Sequence, residues 1–204
     1  AWEDNSWSLD SQNDEVFDEL VSMQAYTIGL DNLGMPSGLS VSCKASNGYW
    51  GEKPNQIPTP GGPLLVLLVV DFDVWFGHNL AYLNFEGRYQ IDKQPTEKIL
   101  AKMNTIIAPN GLRSQNKTII FDPKRNPNLI KSLMSGERLV LKPWEGAVLD
   151  VMNILSPGNP TELDLNQFLK DENLPLLKDR VLRYSLKDSK KNIQKVISFC
   201  QPFV

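Results

Sequence analysis

At 204 residues the chain is long enough to bury a substantial core without metals or several staples, and its length suits a single domain, 1–204, better than two. Hydrophobic residues make up 41% and charged residues 22%, a balance that argues against disorder. The net charge of −3, with lysine and arginine scattered along the chain, argues against a nucleic-acid partner, which needs a concentrated basic surface.

The chain starts at Ala1 and runs straight into a polar, aromatic stretch with no initiator methionine. That is what remains when a secretory leader is cut behind a small residue, although trimming would leave the same start. It suggests a mature periplasmic or secreted form. The first strand-like unit is VFDELVSMQAYTIGL, whose second half alternates loosely, and DNLGMPSG follows with the chemistry of a turn. LSVSCKAS alternates strictly, with Leu39, Val41, Cys43 and Ala45 on one face, so Cys43 is expected to point inward from a half-buried strand. NGYWGEKPNQIPTPGG holds three prolines and four glycines and reads as a long loop.

PLLVLLVVDFDVWF resumes as a strand. Its apolar part is far short of the ~20 residues a membrane helix requires, so no membrane span is expected. NLAYLNFEGRYQI alternates again, with EGR as a tight turn or bulge. TEKILAKMNTIIA has helical spacing at Ile99, Met103 and Ile106, yet its β-branched end also suits a strand. PNGLRSQN is a turn and KTIIFDP a short strand.

In NPNLIKSLMSGERLVLKP, Asn126 can cap a helix and Pro127 suits its first turn. Leu129, Ile130, Leu133 and Met134 form the apolar stripe, Gly136 suits the end, and ERLVLKP returns as a strand. WEGAVLDVMNILSPGNP is a strand or helix followed by a loop, and TELDLNQFLKDENL a short helix capped at Thr161. RVLRYSL is a strand, and DSKKNIQKVISFC a last amphipathic helix with Ile193, Val196, Ile197 and Cys200 on one side. Lys190, Lys191 and Lys195 form its solvated face. This pattern predicts a mainly β fold with short helices, a β-sandwich with an α+β arrangement as the alternative.

The chain has only two cysteines, Cys43 and Cys200. In a reducing compartment they would be buried, unpaired small hydrophobes. In an oxidising one an even pair is a bridge, closing a loop of about 158 residues worth about 4–5 kcal/mol in the chain-entropy treatment. Neither cysteine has the close spacing of a zinc site, and one histidine is too few for a typical metal set, so no metal or cofactor is expected.

Candidates for catalysis are thin. His78 lies near Asp71 and Asp73, the constellation of a general base with carboxylate support, but a loop histidine at a strand end explains it as well. There is no G-x-S-x-G, and Cys43 on an inward face is a poor nucleophile. Carboxylate pairs such as Asp71/Asp73 or Glu86/Asp92 could support glycoside hydrolysis if their separation allowed it. Asp71 and Asp73 could ligate calcium, but no EF-hand loop follows. Asn116 would accept a glycan only in a eukaryotic secretory context.

The tryptophans, Trp2, Trp7, Trp50, Trp75 and Trp144, are more suggestive, and Trp75 reads as core. Tyr49 and Trp50 sit in the Gly/Pro-rich loop, and Trp144 lies at a strand end beside Pro143. Aromatics in such places have little core to fill and are enriched at binding surfaces, so these three are the candidate contacts to a protein or envelope component.

Three pieces occur in a recognisable order: PSGLSVSCK, then LLVLLVVDFDVWFG with NLAYLNFEGR, then NPNLIKSLMSGERLVLKP with LRYSLKDSKKNIQKVISFC. Together they cover about half the chain. This order resembles the small periplasmic accessory proteins linked to type VI secretion, and more distantly the invasion-associated locus B proteins. The chain departs from their pattern at Glu86, where an aspartate is expected, and at Asp188-Ser189, which replaces a glycine-containing turn. Insertions near 49–62 and 145–178 have no counterpart. The resemblance implies a β-sandwich, export to the periplasm, and a C-terminal helix pinned to a strand by a Cys43–Cys200 disulfide. It carries no catalytic motif. The sequence reading is therefore a non-enzymatic exported protein that binds another protein or a cell-envelope component, such as a secretion accessory. The alternatives are a secreted glycan or cell-wall hydrolase using paired carboxylates, and an inhibitor or immunity protein.

Overall fold

The computed structural model describes residues 2–13, 16, 20–43, 64–70, 80–104, 106–107, 113–114, 118–145, 148–153 and 180–200. A 3-10 turn at Trp2–Asp4 leads into β1 (Ser8–Asn13), β2 (Leu20–Asp31), β3 (Pro36–Cys43), β4 (Leu64–Val70), β5 (Leu80–Ile91) and β6 (Glu97–Asn104). Then come β7 (Ile106–Ile107), β8 (Arg113–Ser114) and β9 (Thr118–Phe121). Helix α1 (Leu129–Leu133) precedes β10 (Arg138–Lys142), β11 (Val148–Asn153) and β12 (Leu182–Ser185), and α2 (Ser189–Cys200) follows.

The fold is mainly β, as expected, but the sheet closes on itself. The antiparallel path runs β2-β12-β10-β5-β6-β9-β4-β3, and β3 pairs back onto β2. The result is an eight-stranded barrel, which corrects the sandwich expectation. Two long strands make closure possible, because each shares one edge between two short partners. β2 bonds β1 along its first half and β12 at Leu30 and Asp31. β5 bonds β11 along its first half and β10 from Arg88 to Ile91. A sandwich leaves edges between its sheets; here β12 and β10 bridge them.

An eight-stranded barrel is just wide enough for side chains to fill, and this one is filled. Leu39, Val66, Tyr89, Ile99, Phe121, Leu139 and Leu141 point inward around the α1 residues Leu129 and Leu133, leaving a void of only about 10 Å³. Helix α2 packs its Ile193, Val196 and Cys200 into the same core. Its first turn is tied down twice, by Ser189 Oγ donating to the Leu133 carbonyl at 2.7 Å and by Asn192 Nδ2 donating to the Trp7 carbonyl at 2.9 Å.

Several local expectations change. Residues 97–104 form a strand, β6, with Ile99 and Ala101 inward, so the helical spacing there is fortuitous. EGR is no turn, because β5 runs straight through it. Gly87 is small for a different reason: a Cβ there would lie 2.2 Å from the Lys142 carbonyl oxygen as the chain leaves β10. Asn126 caps no helix. Its buried amide accepts from Leu100 N at 2.7 Å and donates to Leu100 O at 2.9 Å, acting as a one-residue extension of the sheet beside β6. Strand β1, polar except for half-buried Leu9, carried no alternation that sequence reading could use.

Candidate binding surfaces

Strand β2 reverses the usual sidedness of a barrel strand. Beyond Met23, its inward residues are Ala25, Thr27, Gly29 and Asp31, all small or polar. Its outward residues are Tyr26, Ile28 and Leu30, exposed at 37%, 50% and 36%. The register extends this face sideways, since Ile28 lies opposite Gly38 on β3, and Gly38 opposite Val69 on β4. Val69 is 51% exposed, and Leu33 in the β2–β3 turn is 60% exposed. Neighbouring strands lie about 4.8 Å apart, so these side chains form one apolar strip on the outer wall. Gly38 keeps its centre flat.

The rest of the outer wall has different chemistry. β5 presents Glu86, Arg88 and Gln90, β6 presents Lys98, half-buried Leu100 and Lys102, and β10 presents Arg138, half-buried Val140 and Lys142. Arg88 and Glu145 are ion-paired there, a contact that raises the guanidinium and lowers the carboxyl from their ordinary values, hydrogen bonding first and charge second for Arg88. Lys98 reaches Glu86 at 3.5 Å. A barrel that crosses a bilayer needs an apolar band all round; these charged strands interrupt it.

The polar inner residues of β2 are accounted for by their neighbours. Asp31 faces Arg180 in a buried ion pair, and its other oxygen accepts from Leu33 N and Met35 N, each at 2.8 Å. Ser37 and Tyr184 share a buried hydrogen bond of 2.7 Å. Burial pushes the Tyr184 phenol above its ordinary value; the Ser37 bond acts against this and the Asp31 charge adds to it. Gly29 makes room for that ring, since a Cβ would meet the Tyr184 ring at 2.6 Å and the Arg183 carbonyl oxygen at 2.1 Å. Thr27 Oγ1 is buried without a hydrogen-bond partner among the described residues.

Of the expected site residues, Cys43 and Cys200 are joined in a disulfide, with Cα atoms 5.9 Å apart. The bond ties the last residue of α2 to the last residue of β3, as the resemblance implies. Trp144 is a correction. It is 4% exposed and packs against Phe85, ring centroids 5.9 Å apart and tilted by 54°. Its backbone is drawn in because Glu145 N donates to the Glu86 carbonyl at 2.8 Å. Trp7 is buried too, its indole donating to the Ser185 carbonyl at 2.9 Å. Tyr49, Trp50, Asp71, Asp73, Trp75, His78, Asn116 and Thr161 lie outside the described residues.

The pair Glu86/Asp92 does not converge. Six residues of extended strand separate them by roughly 20 Å, beyond the roughly 5–9.5 Å of glycosidase carboxylates. Asp92, at φ 51°, instead accepts from Glu137 N and Arg138 N at 3.1 and 2.9 Å, closing the start of β10. Among the described residues no group of histidine, cysteine, aspartate or glutamate could hold a metal ion, and no helix is long and apolar enough to cross a membrane.

The apolar strip was missed because no face was assigned to AYTIGLD. The signal was present in the neighbouring strand. Once Leu39, Val41 and Cys43 are inward, the short turn to β3 fixes the pairing, and odd-numbered residues of β2 face them. Tyr26, Ile28 and Leu30 must then face out. No family model, curated protein or solved structure matches the chain.

Proposed function

We propose that this protein is an exported, non-enzymatic binding barrel that docks a partner protein of the cell envelope through the apolar outer wall of β2, β3 and β4. The observation that carries the reading is the reversal on β2, where the large apolar side chains Tyr26, Ile28 and Leu30 face solvent. Contiguous exposed apolar surface of this kind marks interaction sites. The Cys43–Cys200 disulfide supports a site of action in an oxidising compartment. A periplasmic accessory role, as in the type VI secretion-linked family the sequence resembles, fits both features. Tyr49 and Trp50 remain proposed contacts.

The test is site-directed photocrosslinking in the exporting cell, with the reactive side chain at position 28 or, as control, at Arg88 on the charged wall. We expect one discrete protein adduct from position 28, lost when Val69→Glu is added, with the melting temperature unchanged. No adduct, or the same adduct from both walls, refutes the reading.

A further inference from the structure

Glycine inside a strand weakens it, and it marks a bulge, a sharp bend or a place where another group comes close. Gly29 and Gly87 are of the last kind, and each answers to a neighbour within the fold. A Cβ would lie 2.1 Å from the Arg183 carbonyl oxygen at the first and 2.2 Å from that of Lys142 at the second. Gly38, in the middle of β3, is different. Its pairing runs unbroken toward β2 and toward β4, with no shift of register. A Cβ there would find only Val69 Cβ, 4.0 Å away, among the described residues. Tyr26, which stands on the diagonal and could lay its ring over the glycine, does not reach it.

Gly38 lies on the outer face, since Ser37 and Leu39 on either side are buried, and it is itself half-buried. It is the floor of a notch. Ile28 on β2 and Val69 on β4 stand directly opposite it, each one strand spacing of about 4.8 Å away. Along β3 the next outward residues are Pro36 and Ser40, each about 6.8 Å away. The notch is therefore oblong, roughly 10 Å between its side walls and roughly 14 Å between its ends. Both side walls are apolar and half exposed.

That shape limits the occupant. Around the notch the exposed apolar residues, among those described, are Tyr26, Ile28, Leu30, Leu33 and Val69. They are far fewer than the roughly 20–30 residues that each side contributes to a stable interface. A short segment with one anchoring side chain suits them better than a second folded copy of the chain. A flat ring fits an oblong slot with a peptide floor better than a branched alkyl group does, and a ring laid over a glycine is a recurrent cover for bare sheet backbone. Aromatic side chains also bury much area for little lost rotamer freedom.

We propose that Gly38 is the anchor point of the β2–β4 docking surface, where the partner inserts one aromatic side chain of a short segment between Ile28 and Val69. This rests on the docking role proposed above and names what that surface recognises.

The test uses the full chain in the exporting cell, with the photoreactive side chain at Leu33, on the same surface but clear of the notch. We expect the partner adduct to fall at least about tenfold in Gly38→Ala, with the cellular level and the melting temperature at least retained, and to persist in Ser40→Ala. Sequencing of the labelled partner segment should show a phenylalanine, tyrosine or tryptophan. Alanine in its place should weaken the adduct as much as Gly38→Ala does, and the two changes together should add little. An adduct that survives Gly38→Ala, or a labelled segment with no such ring, overturns the anchor and leaves the docking surface in place. No adduct from position 33 or 28 overturns both, and so does an adduct with a second copy of the chain.

Discussion

Reducing the Cys43–Cys200 bond in the otherwise unaltered protein opens a covalent loop that spans most of the chain, because the two residues are 157 positions apart. In the chain-entropy treatment a loop of about 158 residues restricts the unfolded state by roughly 17 cal/mol/K, or about 5 kcal/mol at 25 °C. The native state has little reason to respond. Both sulfurs are buried, and α2 keeps Ile193 and Val196 in the core together with its bonds to Leu133 O and Trp7 O. Almost the whole effect should therefore appear as extra freedom of the unfolded chain. Against a typical total stability of about 5–15 kcal/mol, that loss is large. Urea unfolding with and without reductant measures it: the midpoint should fall, and the slope should rise because the unreduced chain unfolds to a more compact state. Hydrogen exchange on α2 separates the two possible mechanisms. Protection of α2 should decline only as far as the global stability does. A loss below about 1 kcal/mol would refute the loop argument. So would selective loss of α2 protection at unchanged global stability, which would mean that the bond holds the native helix instead.

Three further outcomes follow from named contacts. Asp31→Ala removes the carboxylate that faces buried Arg180 and accepts from Leu33 N and Met35 N, and should cost about 3–5 kcal/mol in chemical denaturation. Gly29→Ala should cost about 3 kcal/mol, since the added methyl meets backbone at Arg183 that cannot yield, whereas Gly38→Ala, whose nearest neighbour is 4.0 Å away, should be neutral or slightly stabilising. Burial first, and the hydrogen bond to Glu97 second, push the Tyr89 phenol up to about 12 from its ordinary 10. The unfolded chain then loses its proton first as pH rises. Stability should be intact below pH 10 and decline as pH rises through about 12. A flat denaturation midpoint between pH 9 and 12 would contradict this assignment.

Strand content and the inward Cys43 were legible because hydrophobic alternation reports which face of a strand is covered. What alternation does not report is which strands pair over long range. LSVSC reads the same whether β3 belongs to a sandwich or a barrel; closure depends on β12 bridging β2 to β10, and four residues, Leu182–Ser185, carry that connection. Trp144 was misread for a related reason. Proline and glycine nearby suggested a surface loop, but Gly87 on a distant strand lets Pro143 approach β5, and the tryptophan follows it onto Phe85. Such a close approach leaves no local mark in the sequence.

The interior of β2 explains why its inward residues are small or polar, and that explanation does not extend to its exterior. Gly29 is set by the Tyr184 ring and Asp31 by Arg180; both choices are forced from inside the barrel. The outward positions meet no such demand. Threonine would satisfy the strand there as well as isoleucine, since β-branched residues fit the pleat whatever their polarity, and the equivalent positions of β5 are filled by Glu86, Arg88 and Gln90. Tyr26, Ile28, Leu30 and Val69 are therefore not fixed from inside the barrel as Gly29 and Asp31 are, and their partial exposure raises the hazard of aggregation. A partner that covered them would remove that hazard, which is why the reversal on β2, and not the barrel itself, supports the proposed function.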